Sequence, residues 1–236
     1  MAGRTQFTDA LLLRSVDYGE ADRIVTLLTA ELGKLPALAR GARRSRRRFA
    51  GALEPYCVLR AEVAPGRGEL GRLAQAQVSR AFPGILRDLR KMMLAGTACE
   101  LLRRAVPARE PDARVFEAAV DFLEALDGTE GAPEELLLAF QVRLMALAGF
   151  APGLDACAGC GRRAGEGQAA MFDPDRGAVV CRACGGAPVL LSGGTRSRLG
   201  SALGRDWARQ GAWEERERTQ AREALDAFIS RHLVKK

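Results

Sequence analysis

Along the first 80 residues the apolar positions come in short runs separated by turn residues. "TDALLLRSVDYG" and "DRIVTLLTAEL" are rich in strand formers, and Gly33-Lys34 turns the chain into "KLPALARGA". "YCVLRAEVAPG" and "GELGRLAQAQVSRAF" follow, joined by a Gly-rich turn at 65–68. In the last run Ala74, Ala76 and Val78 alternate with Gln75, Gln77 and Ser79, the period of two that a half-buried strand needs. Five short strands with tight turns predict a small barrel of the oligonucleotide/oligosaccharide-binding (OB) type over residues 1–80.

After Pro83 the period changes. Ile85, Leu89, Met92, Gly96, Cys99 and Leu102 lie three or four apart and predict one long helix ending before Pro107. A second helix runs through Val115, Ala119, Phe122, Leu123 and Leu126 and stops at Gly128. A third starts after Pro133 and is apolar on most sides through "LLLAFQVRLMALAG", as a central bundle helix is, with Gly149 as its cap. Two more helices are expected near 192–205 and 214–234. The expected class is α+β: an OB barrel at 1–80, then an all-α domain at 81–236 carrying a cysteine-rich, zinc-ribbon-like insertion at about 154–187.

Charge changes the picture. Of the net +7, residues 1–80 hold 14 Lys and Arg against 8 Asp and Glu, whereas residues 81–236 hold 22 against 21. A basic module joined to a near-neutral body suggests a polyanionic partner. No signal-peptide pattern and no run of about 18 apolar residues is present, so a cytoplasmic protein with reduced cysteines is expected.

Four of the six cysteines, Cys157, Cys160, Cys181 and Cys184, form C-x2-C-x20-C-x2-C. Two such hooks supply four thiolates to one tetrahedral ion, and a full sulfur shell leaves no open position, which predicts one structural Zn2+. Gly161 and Gly185 follow the hooks, where a tight knuckle needs positive φ, and "AMFDPDRGAVV" between them reads as a hairpin turning at 173–177. A redox C-x-x-C pair is the rival, and no βαβ frame supports it. Cys57 and Cys99 sit on apolar patterns and read as inert core thiols.

Other motifs have plainer readings. Gly66-Arg67-Gly68-Glu69-Leu70-Gly71 matches G-x-G-x-x-G, but a strand pattern follows it where a dinucleotide site needs a helix. "SGGTR" at 192–196 lacks the lysine of a phosphate loop. His232, the one histidine, reads as a packed residue near a helix end, and Asp17, Glu20 and Asp22 as a polar turn. No catalytic constellation is legible, so no enzymatic activity is expected.

Between the third and fourth strands stands "ARGARRSRRRF", residues 39–49. Arg40, Arg43, Arg44, Arg46, Arg47 and Arg48 repel one another unless the loop is merely solvated or an anion faces it. Arginine suits phosphate because its planar fork donates two parallel hydrogen bonds and stays charged. Lys34, Arg14 and Arg23 are expected to extend the surface. Tyr18, Phe49 and Tyr56 are candidate platforms for bases, with core packing the alternative for the last two. Four phosphate contacts on a single strand predict a log K against log salt slope of roughly −3. Arg43→Glu with Arg46→Glu is the variant that the sequence alone suggests. The other reading is an RNA-binding or transcription-associated factor, since OB barrels and zinc ribbons serve there too.

The stretch "LLLRSVDYGEADRIVTLLTAELGKLPALARGARRSRRRFAGALEPY" resembles the opening of the RecO family of bacterial recombinational-repair mediators. The matching features are Tyr18-Gly19-Glu20-Ala21-Asp22, Gly33-Lys34, the basic stretch and Leu53-Glu54-Pro55-Tyr56. "GELGRLAQAQ" resembles the fifth-strand region, and "CAGCG…FDPDRGAVVCRACG" is similar to the zinc module of those members that have one. The resemblance implies binding of single- and double-stranded DNA, annealing of complementary strands, and work with RecR to load RecA onto strands coated by single-stranded-DNA-binding protein. It also implies contact with the acidic C-terminal tail of that protein, and a nucleoid-associated location. Arg40 stands where the family more usually has lysine. Some members lack the four cysteines, which implies that zinc serves stability.

Overall fold

The strand β1 (Gln6–Tyr18) pairs antiparallel with β2 (Asp22–Thr29), and β2 with β3 (Gly33–Ala39). β4 (Cys57–Ala64) pairs with both β1 and β5 (Gly71–Ala81), and a short parallel pairing of β3 with β5 closes the ring. The order β1-β2-β3-β5-β4 is a closed five-stranded OB barrel, as expected. The computed structural model describes residues 5–233 except 46, 50, 67, 69, 132, 205 and 210. Arg46 of the basic run, and Arg67 and Glu69 of the G-x-G-x-x-G match, therefore lie outside the described residues.

Alternation fills the barrel. Ala10, Leu12, Val25, Leu27, Leu35, Ala37, Leu59, Ala61, Val63 and Leu73 point inward and are buried. A bulge between Leu12 and Arg14 inserts one residue into β1, so Arg14 faces out where strict alternation would turn it in. One end of the barrel is plugged by Phe49, Ala52 and Leu53 from the β3–β4 connection. Phe49 is 1% exposed, which removes it as a platform for bases. Tyr56 is half-buried, its hydroxyl lies beside Gly96, and burial raises its pKa, so it too is a packing residue. The G-x-G-x-x-G stretch is the β4–β5 connection, with a strand and no helix after it.

The long helix expected after Pro83 is two helices, α1 (Pro83–Leu86) and α2 (Leu89–Ala105). Asp88 separates them because its carboxylate accepts the backbone N–H groups of Arg90 and Lys91, which makes it an N-cap. The break also turns the buried face to Ala95, Ala98, Cys99 and Leu102, and leaves Leu89 73% exposed. In α3 (Ala113–Gly128) the expected residues Val115, Ala119, Phe122, Leu123 and Leu126 are all buried. By compactness the chain divides into Met1–Gly128 and Thr129–Lys236, so α1–α3 side with the barrel, whereas pattern alone places the division near residue 80. The physical reason is a set of ties across the first unit. Arg80 pairs with Glu124, Lys34 Nζ donates to the Arg103 carbonyl, and Arg109 N–H donates to the Lys34 carbonyl at 2.9 Å. Gly33, at φ +67°, lies so close to Glu110 that a Cβ would stand 2.4 Å from its carbonyl oxygen.

In the second unit α4 (Glu134–Leu147) is buried without interruption from Leu136 to Val142, as a central helix is. It packs on α6 (Glu215–His232), and Arg222 of α6 pairs with Glu134. The cysteine module folds as a hairpin of β6 (Ala170–Asp173) and β7 (Ala178–Val180), turning at 174–177. A third strand, β8 (Val189–Leu191), pairs with β6, so the module reaches beyond its expected end at 187. Phe172 of the hairpin meets Phe228 of α6 edge-on at 5.9 Å. His232 packs against Phe228 and Phe150, with its Nε2 3.0 Å from the Pro174 carbonyl, a structural role. Among the described residues no helix is long and apolar enough to cross a membrane.

"SGGTR" opens α5 (Gly193–Ser201), and its residues are structural. Ser192 caps the helix by accepting Thr195 N–H, and the buried Thr195 hydroxyl donates to Gln220. Arg196, 8% exposed, donates to the carbonyls of Leu154, Ala164, Gly165 and Gln168, clamping the module's loop to the helix. Truncating it orphans buried acceptors, so Arg196→Met is expected to destabilise the second unit by about 3 kcal/mol. Chemical denaturation checks this, and an unchanged midpoint would contradict the clamp.

Candidate nucleic-acid interface and metal centre

The described residues of the basic run are held, not loose. After β3 the chain turns at Gly41, forms a 3-10 turn at Ala42–Arg44, and runs to the buried Phe49. Asp22, in the β1–β2 hairpin, accepts the Gly41 N–H at 2.7 Å. The Arg43 N–H donates to the Ala21 carbonyl at 3.0 Å, and its guanidinium reaches the Gly19 and Glu20 carbonyls and the Asp17 carboxylate. Further on, Ala76 of β5 donates to the Arg48 carbonyl at 2.9 Å, and Arg48 donates to the Arg40 carbonyl at 2.8 Å and lies over the Phe49 ring. The acidic turn of Asp17, Glu20 and Asp22 is thus the cradle of the basic loop.

Arg40, Arg44, Arg47 and Arg48 are exposed on this frame. Arg44 is 3.8 Å from Glu20 in a pair open to water, which holds it weakly. Among the described residues no carboxylate pairs with Arg40, Arg47 or Arg48. A held loop that leaves the guanidinium groups of Arg40, Arg47 and Arg48 without a carboxylate partner has lower entropy to lose on meeting phosphates than a solvated one.

Beside the loop, one row crosses four strands on the barrel's outer face: Val16, Ile24, Leu38 and Arg72 are successive register partners. The first three are half-buried, and Arg72 is exposed. Arg14, exposed, and Tyr18, 56% exposed, share that face by alternation on β1, and Arg40 extends it from β3. An apolar strip edged by arginines and one open tyrosine suits bases lying flat with phosphates along the margin. Arg72 is an addition to the residues that the sequence suggests.

Two expected residues are engaged elsewhere. Arg23 pairs with Ala39, which faces inward, so its side chain points to the barrel's plugged end. There it pairs with Glu54 at 3.0 Å and Asp17 at 3.1 Å and donates to the Leu53 carbonyl. Hydrogen bonding to Glu54 raises its pKa further, partly offset by burial. Lys34 shares the outer face, but at the end where Leu11 and Leu28 are covered and buried. Its ammonium sits on a carbonyl in the last turn of α2, a favourable place for a cation. Burial, and then the Arg103 charge, lower its pKa.

The four hook cysteines converge, with their sulfurs all within 4.8 Å of one another. Metal–thiolate bonds of about 2.3 Å in a tetrahedron put sulfurs roughly 3.8 Å apart, and Cys160 Sγ and Cys181 Sγ are 3.8 Å apart. Backbone N–H groups of Cys181, Cys160 and Gly159 point at Cys157 Sγ and hold that thiol down to about 6. Hydrogen bonding with the sulfurs of Cys181, Cys160 and Cys157 pushes the Cys184 thiol up to about 12. Gly161 and Gly185 have φ of +72° and +103°, the knuckle geometry expected. Gly159, unremarked in the sequence, is equally needed: a Cβ there would lie 3.1 Å from Cys184 Sγ. The residues present fit one tetrahedral metal ion. Cys57 and Cys99 are buried, and burial pushes their thiols up to about 11 and about 12, as suits inert groups.

The family described as Recombination protein O N terminal matches residues 1–82, and Recombination protein O C terminal matches residues 86–236. The chain is 43% identical over 235 residues to the DNA repair protein RecO of Anaeromyxobacter sp. (strain K), covering 94% of this chain and 89% of that one. It is 41% identical over 232 residues to that of Myxococcus xanthus, covering 95% and 91%, and 34% identical over 236 residues to that of Geobacter metallireducens, covering 97% and 92%. The chain belongs to the RecO family, and its role lies in DNA repair and recombination.

Proposed function

We propose that this protein binds DNA through the outer face and basic loop of its barrel and anneals complementary strands without a catalytic step. The supporting observation is the pinned loop of exposed arginines beside the Val16–Ile24–Leu38 strip. Arg40, Arg44, Arg47, Arg48, Arg14 and Arg72 are assigned to phosphates, Tyr18 to a base, and Arg43 to both the loop's frame and the ligand. Arg46 is assigned from the sequence alone. Lys34 and Arg23 are assigned to the fold. The basic surface lowers the repulsion between two strands and raises their local concentration, which is sufficient for annealing. No base-reading pattern is assigned, so binding is expected to tolerate sequence.

Within this reading the protein acts with RecR to load RecA onto single strands coated by single-stranded-DNA-binding protein, whose acidic tail it contacts, in the bacterial cytoplasm at the nucleoid. The hook cysteines are assigned one Zn2+, which would crosslink the two knuckles and, with four sulfurs around it, offer no position to a substrate. The test is annealing of labelled complementary DNA strands, with single-stranded RNA as competitor. Faster annealing with weak competition by RNA is expected. Preferential binding of RNA without annealing would replace this reading with an RNA-associated role.

A further inference from the structure

Beside the hooks lies a cavity of about 330 Å3, at the lower end of the range for small-molecule sites. Cys157 and Cys181 are among its lining residues, and Cys160 and Cys184 are not. Its floor includes Met171 and Leu190, the latter 49% exposed, and its rim carries Arg162, Arg163, Arg182 and Gln168. Among the described residues these three arginines pair with no carboxylate, unlike Arg176 and Arg231 of the same unit.

The rim is built. Cys157 N–H donates to the Arg162 carbonyl at 2.9 Å, Ala164 N–H to the Asp155 carbonyl at 2.8 Å, and Ala156 bridges Arg163, so the first hook is a short ladder. Arg182 stands in the 3-10 turn of the second hook. The Arg196 clamp holds the carbonyls of Ala164 and Gln168. Three exposed arginines therefore line an apolar cavity on a hydrogen-bonded backbone, and the hook thiolates, with a net charge of −2 once Zn2+ is bound, balance only part of their charge.

We propose that this cavity is a second single-stranded-DNA site, taking one nucleotide of a strand other than the one on the barrel. Guanidinium groups supply both what a phosphate needs, forked donors, and what a base needs, flat cationic faces. Gln168 adds an amide that both donates and accepts toward a base edge. The inference rests on the annealing function proposed above, since annealing requires two strands held at once.

The experiment is equilibrium binding of a labelled 15-residue oligo(dT) to the full chain, with stoichiometry read by sedimentation. Wild type is expected to bind a second strand more weakly than the first. Arg162→Gln with Arg163→Gln and Arg182→Gln is expected to weaken the second step at least about tenfold and to flatten its salt slope by roughly 1, leaving the first step intact. Leu190→Glu, on β8 and apart from the hooks, reads the same step should the triple variant lose metal. A single strand per wild-type chain, or a second step within twofold of wild type in Leu190→Glu, would overturn the proposal. A labelled acidic peptide is the second probe: weaker peptide binding in these variants with the second oligonucleotide step unchanged would also overturn it, and would make the cavity a peptide site. Failure of the barrel reading is distinct, because it shows as a first step unaffected by changes in the basic loop.

Discussion

Arg44→Glu together with Arg47→Glu is expected to weaken single-strand binding by roughly two to three decades at low salt. A phosphate about 4 Å from a surface guanidinium gains about 1 kcal/mol in water, and reversal turns that attraction into repulsion at each site. Two reversals then remove about 4 kcal/mol. Both side chains are exposed, and among the described residues their one side-chain tie is the 3.8 Å contact of Arg44 with Glu20, so the melting temperature should not move. Arg43 is the poorer choice, because its guanidinium also ties the loop to the hairpin through Gly19, Glu20 and Asp17. Lys34→Met is the control: it should lower stability by about 1–2 kcal/mol through loss of the α2 carbonyl contact and leave DNA affinity unchanged. Fluorescence anisotropy and thermal melting check both variants. Undiminished affinity in the double variant would take the basic loop out of the interface.

Replacing Cys181 by Ala, or chelating the metal, is expected to have the largest effect on stability. Zinc binding by small four-ligand sites contributes about 10–16 kcal/mol of apparent folding free energy near pH 7. The module's strands are short, three or four residues each, and the hooks hold them together. The hairpin also carries Phe172, which meets Phe228 of α6, so its collapse should reach the helices of the second unit. One zinc per chain by elemental analysis, and a melting transition lowered by more than about 10 °C in the variant, are the expected results. Acid should release the metal, since thiolates bind it and thiols do not. An unchanged transition with no bound metal would contradict the assignment. Binding of the first DNA strand should survive, because it is assigned to the barrel.

The parts of the fold set by local pattern were legible in the sequence. The pattern at Ala74–Ser79 marked the place of β5, although register shifts put Leu73 and Ala76 inside and leave Val78 48% exposed. Gly33-Lys34 marked a hairpin, and the C-x2-C spacing marked a cluster that does converge. What escaped depended on long-range geometry. The bulge after Leu12 reverses which face Arg14 shares, and no local rule announces it. Arg72 joins the outer row only through the parallel β3–β5 pairing, which brings together residues 34 positions apart (Leu38 and Arg72). Lys34 in β3 and Arg40 just after it share a parity, yet the Arg103 carbonyl of α2 engages one while the other is exposed. Phe49 adjoins five arginines but plugs the barrel, because an open barrel end needs a large apolar group more than a loop needs an aromatic. Arg196 lay in a motif weighed only as a phosphate loop, and its four carbonyl partners come from segments about 30–40 residues away.

Central to the account is an interface whose affinity comes from phosphates meeting the barrel's arginines. The most direct test is the affinity of a mixed-sequence single strand across a salt series at saturating metal. The six arginines assigned to phosphates predict a log K against log salt slope of roughly −4, reduced to about −3 in the Arg44→Glu, Arg47→Glu variant. A slope near zero, or one that the variant leaves unchanged, would contradict it.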